Sequence, residues 1–326
     1  MKAEILRLLK AEKGYISGQR ICEEFHVSRT AVWKAVEQLK KEGYEIEAVR
    51  NKGYRLTGNP DIMTQAEIES VIKTAWAGRR VIYYEETDST NIQAKLAGEN
   101  RGEHGALFIA DRQVAGRGRR GRSWQSPGGA CIYMTLLIRP QFPPEKASML
   151  TLVMALSVAE AIRGQSGLDA KIKWPNDIVL NSKKICGILT EMSTEIDYIN
   201  YVVTGVGINV NQTAFPQEME ETATSLLLEG NRTVRRAELV AAVMGRYEKN
   251  YETFIETQDL SKLLDKYNQM LVNRDRDVRV LEPQKEYNAH ALGINKQGEL
   301  IVITPEGEEK RIYAGEVSVR GIYGYV

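Results

Sequence analysis

From Gln113 to Trp124 the chain reads Gln-Val-Ala-Gly-Arg-Gly-Arg-Arg-Gly-Arg-Ser-Trp, which sets Arg117, Arg119, Arg120 and Arg122 among Gly116, Gly118 and Gly121. Arginine offers a planar fork of N–H donors, and glycine lets successive backbone N–H groups turn toward one point. Such a segment can close around a phosphate or a carboxylate. The run contains G-x-G-x-x-G and, through Ser123, also stands one lysine short of a G-x-x-x-x-G-K-S phosphate loop. Both motifs need their glycines to open a helix, and the stretch that follows, Gln125-Ser126-Pro127-Gly128-Gly129, cannot begin one. A glycine-rich connection between strands is therefore expected. Alone, it would read as a solvated basic loop. It is accompanied by Asp88-Ser89-Thr90-Asn91, Lys173-Trp174-Pro175-Asn176-Asp177, Lys184-Ile185-Cys186-Gly187-Ile188-Leu189 and Gly205-Val206-Gly207-Ile208-Asn209, each joining polar groups to strand or turn residues.

The elements that must hold these clusters form a mixed α/β pattern. β-Rich runs at 81–84, 106–110, 131–138, 171–174 and 201–206 alternate with helical segments at 91–97 and 147–163. Two further helices are expected at 235–254 and 260–271. Turns at Lys296-Gln297-Gly298 and Pro305-Glu306-Gly307 then separate short strands, the pattern of a small C-terminal β barrel.

The N-terminal segment follows other rules. Ile5, Leu6, Leu8 and Leu9 recur at helical spacing until Gly14; Ser17 can cap a second helix reaching Phe25, and Ser28 a third that runs to Gly43. In the third helix Val32, Val36 and Leu39 make a buried stripe and turn Arg29, Thr30, Lys34 and Gln38 outward. Alternation over 44–49, a turn at Asn51-Lys52-Gly53 and resumption at Tyr54-Arg55-Leu56 complete a two-stranded wing. The whole is expected to be a winged helix-turn-helix, with Gly18, Ser28, Arg29, Thr30, Lys34 and Gln38 at DNA and Lys52 and Arg55 on its backbone. Charge agrees with this. Residues 1–60 carry twelve Lys or Arg against eight Asp or Glu, whereas the chain as a whole is nearly balanced at +1.

Composition removes several alternatives. A chain of 326 residues, 43% hydrophobic, can bury a large core in two or three domains. Its longest apolar stretch, 149–162, is interrupted by Thr151, Ser157 and Glu160 and is shorter than a membrane span, so it reads as a buried helix; no membrane association is expected. The N-terminus begins an amphipathic pattern without a signal region, which predicts a cytoplasmic protein. Cys22, Cys131 and Cys186 are odd in number and scattered, fitting neither a disulfide framework nor a zinc site. His26, His104 and His290 are too few for a histidine metal centre or a serine triad and read as structural.

The order D-S-T-N, Q-x-A-G-R-G-R-R-G-R-x-W, K-W-P-N-D, K-x-x-G-I-L and G-x-G-I-N resembles that of the biotin protein ligases. With a winged helix ahead of it, the chain resembles the bifunctional form that is both ligase and repressor of the biotin operon. The resemblance spans essentially the whole sequence. It implies a winged helix at 1–60, a ligase domain of the class II synthetase type at 61–272 and an SH3-like β barrel at 273–326. The implied chemistry joins biotin to ATP as biotinyl-5′-adenylate and passes biotin to a lysine of biotin carboxyl carrier protein, with Mg²⁺ accompanying ATP. Neutralising a carboxylate brought against a triphosphate is what preorganised cations and backbone N–H groups do well. By this resemblance Ser89, Thr90, Asn91 and Gln113 face biotin, with Arg117, Gly118, Arg119, Gly187, Gly205 and Gly207 closing around it. Lys184 bridges carboxylate and α-phosphate as the catalytic cation together with Arg119; Lys183 is a neighbouring candidate, but the spacing to Gly187 favours Lys184. Arg119, Arg120, Arg122 and Lys173 hold phosphates, Trp124 lies near adenine, Asn209 reads its edge, and Asp177 is a candidate ligand for Mg²⁺. The expected partners are the carrier protein, operator DNA and a second copy of the chain, the homodimer being favoured by the adenylate. Two other readings compete. A non-catalytic sensor would leave the four-arginine loop and Lys184 without purpose, and a lipoate ligase is disfavoured by the winged helix and the G-R-G-R-R-G-R run.

Overall fold

The computed structural model describes all residues except 59, 283–284, 314–317 and 322–324. The N-terminal unit runs α1 (Lys2–Ala11), α2 (Gly18–Phe25), α3 (Arg29–Lys41), β1 (Ile46–Val49) and β2 (Gly53–Leu56). Both expected caps are present, with Ser17 Oγ accepting from Arg20 N at 3.1 Å and Ser28 Oγ from Ala31 N at 3.2 Å. Ile5, Leu6, Leu9, Ile21, Val32, Val36 and Leu39 close a separate small core. The wing is pinned to the helices where Ile16 and Tyr54 exchange backbone hydrogen bonds of 2.8 and 2.9 Å. That approach requires glycine at the neighbouring position. Gly53 sits at φ +108, and a Cβ there would fall 1.9 Å from Ile16 O.

The central unit comprises α4 (Gln65–Val71), β3 (Val81–Thr87), α5 (Thr90–Glu99), β4 (Ala106–Gln113), β5 (Ile132–Ile138), α6 (Met149–Ser166), β6 (Lys171–Lys173), β7 (Asp177–Leu180), β8 (Lys183–Thr194), β9 (Ile199–Ile208), α7 (Leu226–Gly230), α8 (Arg236–Thr257) and α9 (Leu264–Met270). Its strands form one seven-stranded sheet in the order β3-β4-β5-β9-β8-β7-β6. Only β3 and β4 are parallel, and α5 is the crossover that a parallel pair requires. Helix α6 is long and apolar enough to cross a membrane, yet it is buried in the core beside α8, where Asn250 Nδ2 donates to Ser157 Oγ at 3.0 Å.

Three elements depart from expectation. The helix expected over 260–271 shortens to α9, because Asp259 Oδ1 accepts from Ser261 N and turns the chain first. Helix α4 is short and was not signalled by a long periodic pattern. The hairpin of β7 and β8 turns at Asn181 and Ser182, both at positive φ, and makes the K-W-P-N-D and K-x-x-G-I-L segments adjacent strands.

The C-terminal unit is an antiparallel five-stranded sheet of β10 (Arg276–Leu281), β11 (Glu286–Ile294), β12 (Leu300–Ile303), β13 (Glu309–Ile312) and β14 (Ser318–Gly321), in the order β13-β12-β11-β10-β14. Its buried Val278, Val280, Leu300, Val302 and Val319 join the core of the central unit, and Trp174 Nε1 donates to Gly298 O at 3.0 Å. At the other end, α1 docks on α4. Glu67, 3% exposed, accepts from the Lys10 ammonium and from Tyr44 Oη, while Arg7 caps α4 by donating to the carbonyls of Glu69 and Ser70.

Candidate functional site

A cleft opens where the N-terminus of α5 meets the faces of β5, β8 and β9. It is lined by Ser89, Thr90, Asn91, Gln113, Arg117, Gly118, Arg119, Trp124, Lys184, Gly187, Gly205 and Gly207, together with Tyr133, Met134, Asn176, Ile188, Leu189 and Val206. The polar end is tightly ordered. Gln113 Oε1 accepts from Thr90 N at 2.9 Å, and Thr135 Oγ1 donates within reach of Thr90 Oγ1 and Asn91 Oδ1 at 2.8 and 2.7 Å. Asn91 Nδ2 donates to Glu191 Oε2 at 2.9 Å.

The floor is glycine for a steric reason. A Cβ on Gly207 would lie 2.6 Å from Trp124 Nε1, one on Gly187 would lie 2.9 Å from the same indole, and one on Gly205 would overlap Asn91 Oδ1 at 2.0 Å. The indole thus rests on β8 and β9, with Lys184 Nζ 5.3 Å from its ring and its own buried N–H without a hydrogen-bond partner among the described residues.

A line of hydrogen bonds crosses one wall. Arg119 Nη1 donates to Asn176 Oδ1 at 2.7 Å, Asn176 Nδ2 donates to Asp177 Oδ1 at 3.0 Å, and Lys184 Nζ pairs with the same oxygen at 2.6 Å. Tyr325 Oη donates to Asp177 Oδ2. Burial pushes the Asp177 carboxyl up, but the Lys184 charge and the hydrogen bonds from Lys184 and Tyr325 outweigh it and hold it below the usual carboxylate range. Burial likewise lowers Lys173 to about 8, against the opposing pull of Asp177 and with Lys184, Arg320 and Arg122 adding to the fall. A cleft that holds several cations beside one engaged carboxylate is suited to concentrated negative charge.

Residues 83–209 match the Biotin/lipoate A/B protein ligase family, residues 2–55 the HTH domain family, and residues 275–320 the Biotin protein ligase C terminal domain. The chain is 38% identical to the bifunctional ligase/repressor BirA of Bacillus subtilis, over 98% of both chains. It is a member of the bifunctional ligase/repressor family. Escherichia coli BirA is 30% identical, over 96% of this chain and 95% of that one. A solved biotin protein ligase from Aquifex aeolicus in complex with biotin and ATP aligns at a TM-score of 0.66 and 31% identity, covering 74% of this chain and 99% of that one.

All eleven residues that the resemblance to biotin protein ligases placed around the acid converge on the cleft, from Ser89 to Gly207. The nucleotide set divides. Arg119 and Trp124 line the cleft; Arg120 and Arg122 are exposed on the loop, and Lys173 is buried behind the wall under the Tyr325 ring. Asn209 is buried, with Nδ2 donating to Thr224 O at 3.1 Å. Lys183 points away, donating to Glu220 O at 2.7 Å, which leaves Lys184 as the lysine in the cleft. Asp177 is engaged by Lys184, Asn176 and Tyr325, and the described residues hold no group of three possible metal ligands. Cys131 and Cys186 are buried, and burial pushes both thiols up, so neither is a nucleophile.

The winged helix of this family member presents Arg29, Thr30, Lys34 and Gln38 to solvent along α3. A groove between α3 and the wing is lined by Gly18, Arg29, Arg50 and Lys52. Arg55 is engaged instead, donating to Glu47 Oε2 at 2.7 Å with its guanidinium 4.8 Å from the Tyr15 ring centroid. Arg50 and Trp33, which is 55% exposed on α3, were not singled out from sequence. Their exposed positions, clear once the helix and the wing are in place, are the signal that would find them.

Proposed function

We infer that this chain is an ATP-dependent biotin protein ligase and a repressor of biotin genes. The observation behind the enzymatic half is the line Arg119–Asn176–Asp177–Lys184 along a cleft whose other walls are glycine backbone and the Thr90–Gln113 polar end. The bicyclic head of biotin lies at Ser89, Thr90, Asn91 and Gln113, beside Gly205 and Gly207, with the backbone of Arg117 and Gly118 closing over it and Trp124 toward the adenine. Its carboxylate reaches toward Lys184. A carboxylate oxygen attacks the α-phosphorus of ATP and the bond to the β-phosphate oxygen breaks, giving biotinyl-5′-adenylate and pyrophosphate. In the second step a lysine amine of biotin carboxyl carrier protein attacks the acyl carbon, AMP departs with the bonding pair and the amine gives up a proton. No covalent enzyme intermediate is required.

Catalysis is charge stabilisation and positioning. Lys184 and Arg119 meet the charge that builds between carboxylate and α-phosphate; Arg120, Arg122 and Lys173 serve the phosphates and Asn209 the adenine edge. Mg²⁺ is proposed as the companion of ATP; the described residues hold no group of three possible ligands for it, and no part of the reaction is assigned to it. In the same reading the chain divides at 60/61 and 272/273, works in the cytoplasm, and binds operator DNA as an adenylate-favoured homodimer through the α3 face and the wing.

Pyrophosphate exchange into ATP with biotin, with lipoate and with neither acid tests the enzymatic half. Biotin-dependent exchange that Lys184→Ala reduces by about two orders of magnitude is expected. Exchange with lipoate alone, none with either acid, or full exchange by Lys184→Ala would defeat it.

A further inference from the structure

Tyr325 reaches the cleft wall from the far end of the chain. Its hydroxyl donates to Asp177 Oδ2, and Lys173 Nζ lies 3.3 Å from the centroid of its ring. Neither contact is needed to build the C-terminal sheet. Strand β14 is already paired to β10 as far as Gly321, and Val326 folds back on Gly321 so closely that a Cβ there would meet Val326 O at 2.1 Å. Tyr325 instead joins Asp177 of the cleft wall to Lys173 behind it.

Asp177 shows what the contact does. One of its oxygens receives Lys184 and Asn176, and a carboxylate held by one oxygen alone can rotate about its terminal bond. A hydroxyl fixed on the second oxygen sets the plane of the group and so aims the first. We propose that Tyr325 is a positioning residue for adenylate formation: its hydroxyl orients Asp177, which places the Lys184 ammonium in the cleft, and its ring holds the Lys173 ammonium behind the same wall. This rests on the role given to Lys184 above. Burial and the Asp177 charge push the phenol far above its ordinary range, so it stays a neutral donor. The ring offers Lys173, 4% exposed, a π face in place of the water it has lost.

The test uses the full chain and pyrophosphate exchange, with Tyr325→Phe, Tyr325→Leu, Asp177→Asn, the double variant Asp177→Asn/Tyr325→Phe, and Lys184→Ala alongside. Tyr325→Phe keeps the ring and is expected to lower kcat about 10-fold while KM for biotin stays within about 2-fold, since a charge-assisted bond is lost without touching the biotin end. Tyr325→Leu is expected to add a rise in KM for ATP. The double variant is expected to match Asp177→Asn within about 2-fold, because residues acting as one unit do not lose activity twice. A Tyr325→Phe enzyme with kcat within about 2-fold of the parent, or losses that multiply in the double variant, would overturn the proposal. A purely structural tyrosine would move both KM values or the yield of folded protein, and that result also overturns it. If Lys184→Ala exchanges normally, the reading of the cleft fails first; normal exchange by Tyr325→Phe beside an inactive Lys184→Ala removes only the tyrosine.

Discussion

Arg119 and Asn176, 57 residues apart in sequence, are joined by a 2.7 Å hydrogen bond from the guanidinium to the side-chain oxygen. The glycine-rich loop is thereby tied to the K-W-P-N-D turn and, through Asp177, to Lys184. The loop is folded on itself as well, with Gly118 N donating to Arg122 O at 2.7 Å and Arg120 in the left-handed region. A loop anchored this way can cover an acyl-adenylate while keeping an arginine on its phosphate.

Arg119→Gly should therefore loosen retention of the intermediate more than its formation. A reactive adenylate that leaves the cleft acylates whatever amine it meets. Mass spectrometry of a mixture of carrier protein and an unrelated lysine-rich protein should show biotin on both with the variant and on the carrier alone with the parent. Labelling restricted to the carrier lysine in both cases would remove Arg119 from this role.

The floor of the cleft makes a steric prediction. Gly207→Ala places a methyl 2.6 Å from Trp124 Nε1, so the indole must shift or the strand must give. KM for biotin should rise by about 10-fold, a free energy of about 1.4 kcal/mol, with little change in the unfolding midpoint because the cleft face is not core. An unchanged KM would mean that the indole and this backbone do not confine the acid.

Lys173 predicts a pH dependence. Lowered to about 8, it is charged below that pH and neutral above it, so a phosphate role would be lost as the pH rises through 8. The profile of kcat/KM for ATP should show an alkaline fall near pH 8, and Lys173→Arg, always protonated, should remove it. For stability the sign is opposite. The unfolded chain binds this proton up to its ordinary, higher pKa, so between about 8 and 10.4 the group makes stability rise with pH. An alkaline fall that persists in Lys173→Arg would assign the limb to another group.

Much of this site was legible because its chemistry is written in short runs. The arginines, the paired glycines and Lys184 are residue types that need a reason, and their order alone drew them together. The wall groups were not legible in the same way. Tyr133 and Met134 line the cleft only because β5 runs beneath it, and Thr135 is an ordinary threonine until Thr90 and Asn91 are seen against it. Tyr325 joins Asp177 across 148 residues, a pairing that no local pattern encodes. The β7–β8 hairpin was not legible for a related reason: β7 is only four residues long and the turn, Asn181-Ser182, lacks the glycine that usually announces one.

Arg236 should matter to the whole molecule. Only 4% exposed, it meets Asp61 at 2.7 Å and Asp111 at 3.0 Å, while Asp111 also accepts from Gly129 N at 2.9 Å. The entry to the central unit and the end of the glycine-rich loop thus share one buried cation. Arg236→Ala leaves two carboxylates facing a vacated site and should destabilise the fold by roughly 3–5 kcal/mol in denaturant titration. A loss under about 1 kcal/mol would show the pair to be as weak as a surface one.

The last prediction concerns the two ends of the proposed function. One winged helix makes a modest interface, and repressors of this kind gain affinity by presenting two copies to a two-fold operator. The N-terminal unit has no heptad repeat to hold a pair together, so the dimer surface is expected on the ligase core, where the ligand loops lie. If the adenylate orders those loops, it stabilises the dimer by the free energy of that ordering, and by linkage the dimer holds the adenylate more tightly. Adenylate that accumulates when the carrier is saturated would then turn the chain from enzyme to repressor. Sedimentation and operator binding with and without biotin plus ATP should both move, in the same direction. Trp33→Ala and Arg50→Ala, on the exposed α3 face and in the wing groove, should weaken operator binding about 10-fold, or about 1.4 kcal/mol, and leave pyrophosphate exchange unchanged. Arg55→Ala should cost less, because that guanidinium is already held by Glu47. Equal dimerisation and equal operator affinity in both conditions would break the coupling, and full operator binding by Trp33→Ala and Arg50→Ala would move the DNA face elsewhere on the winged helix.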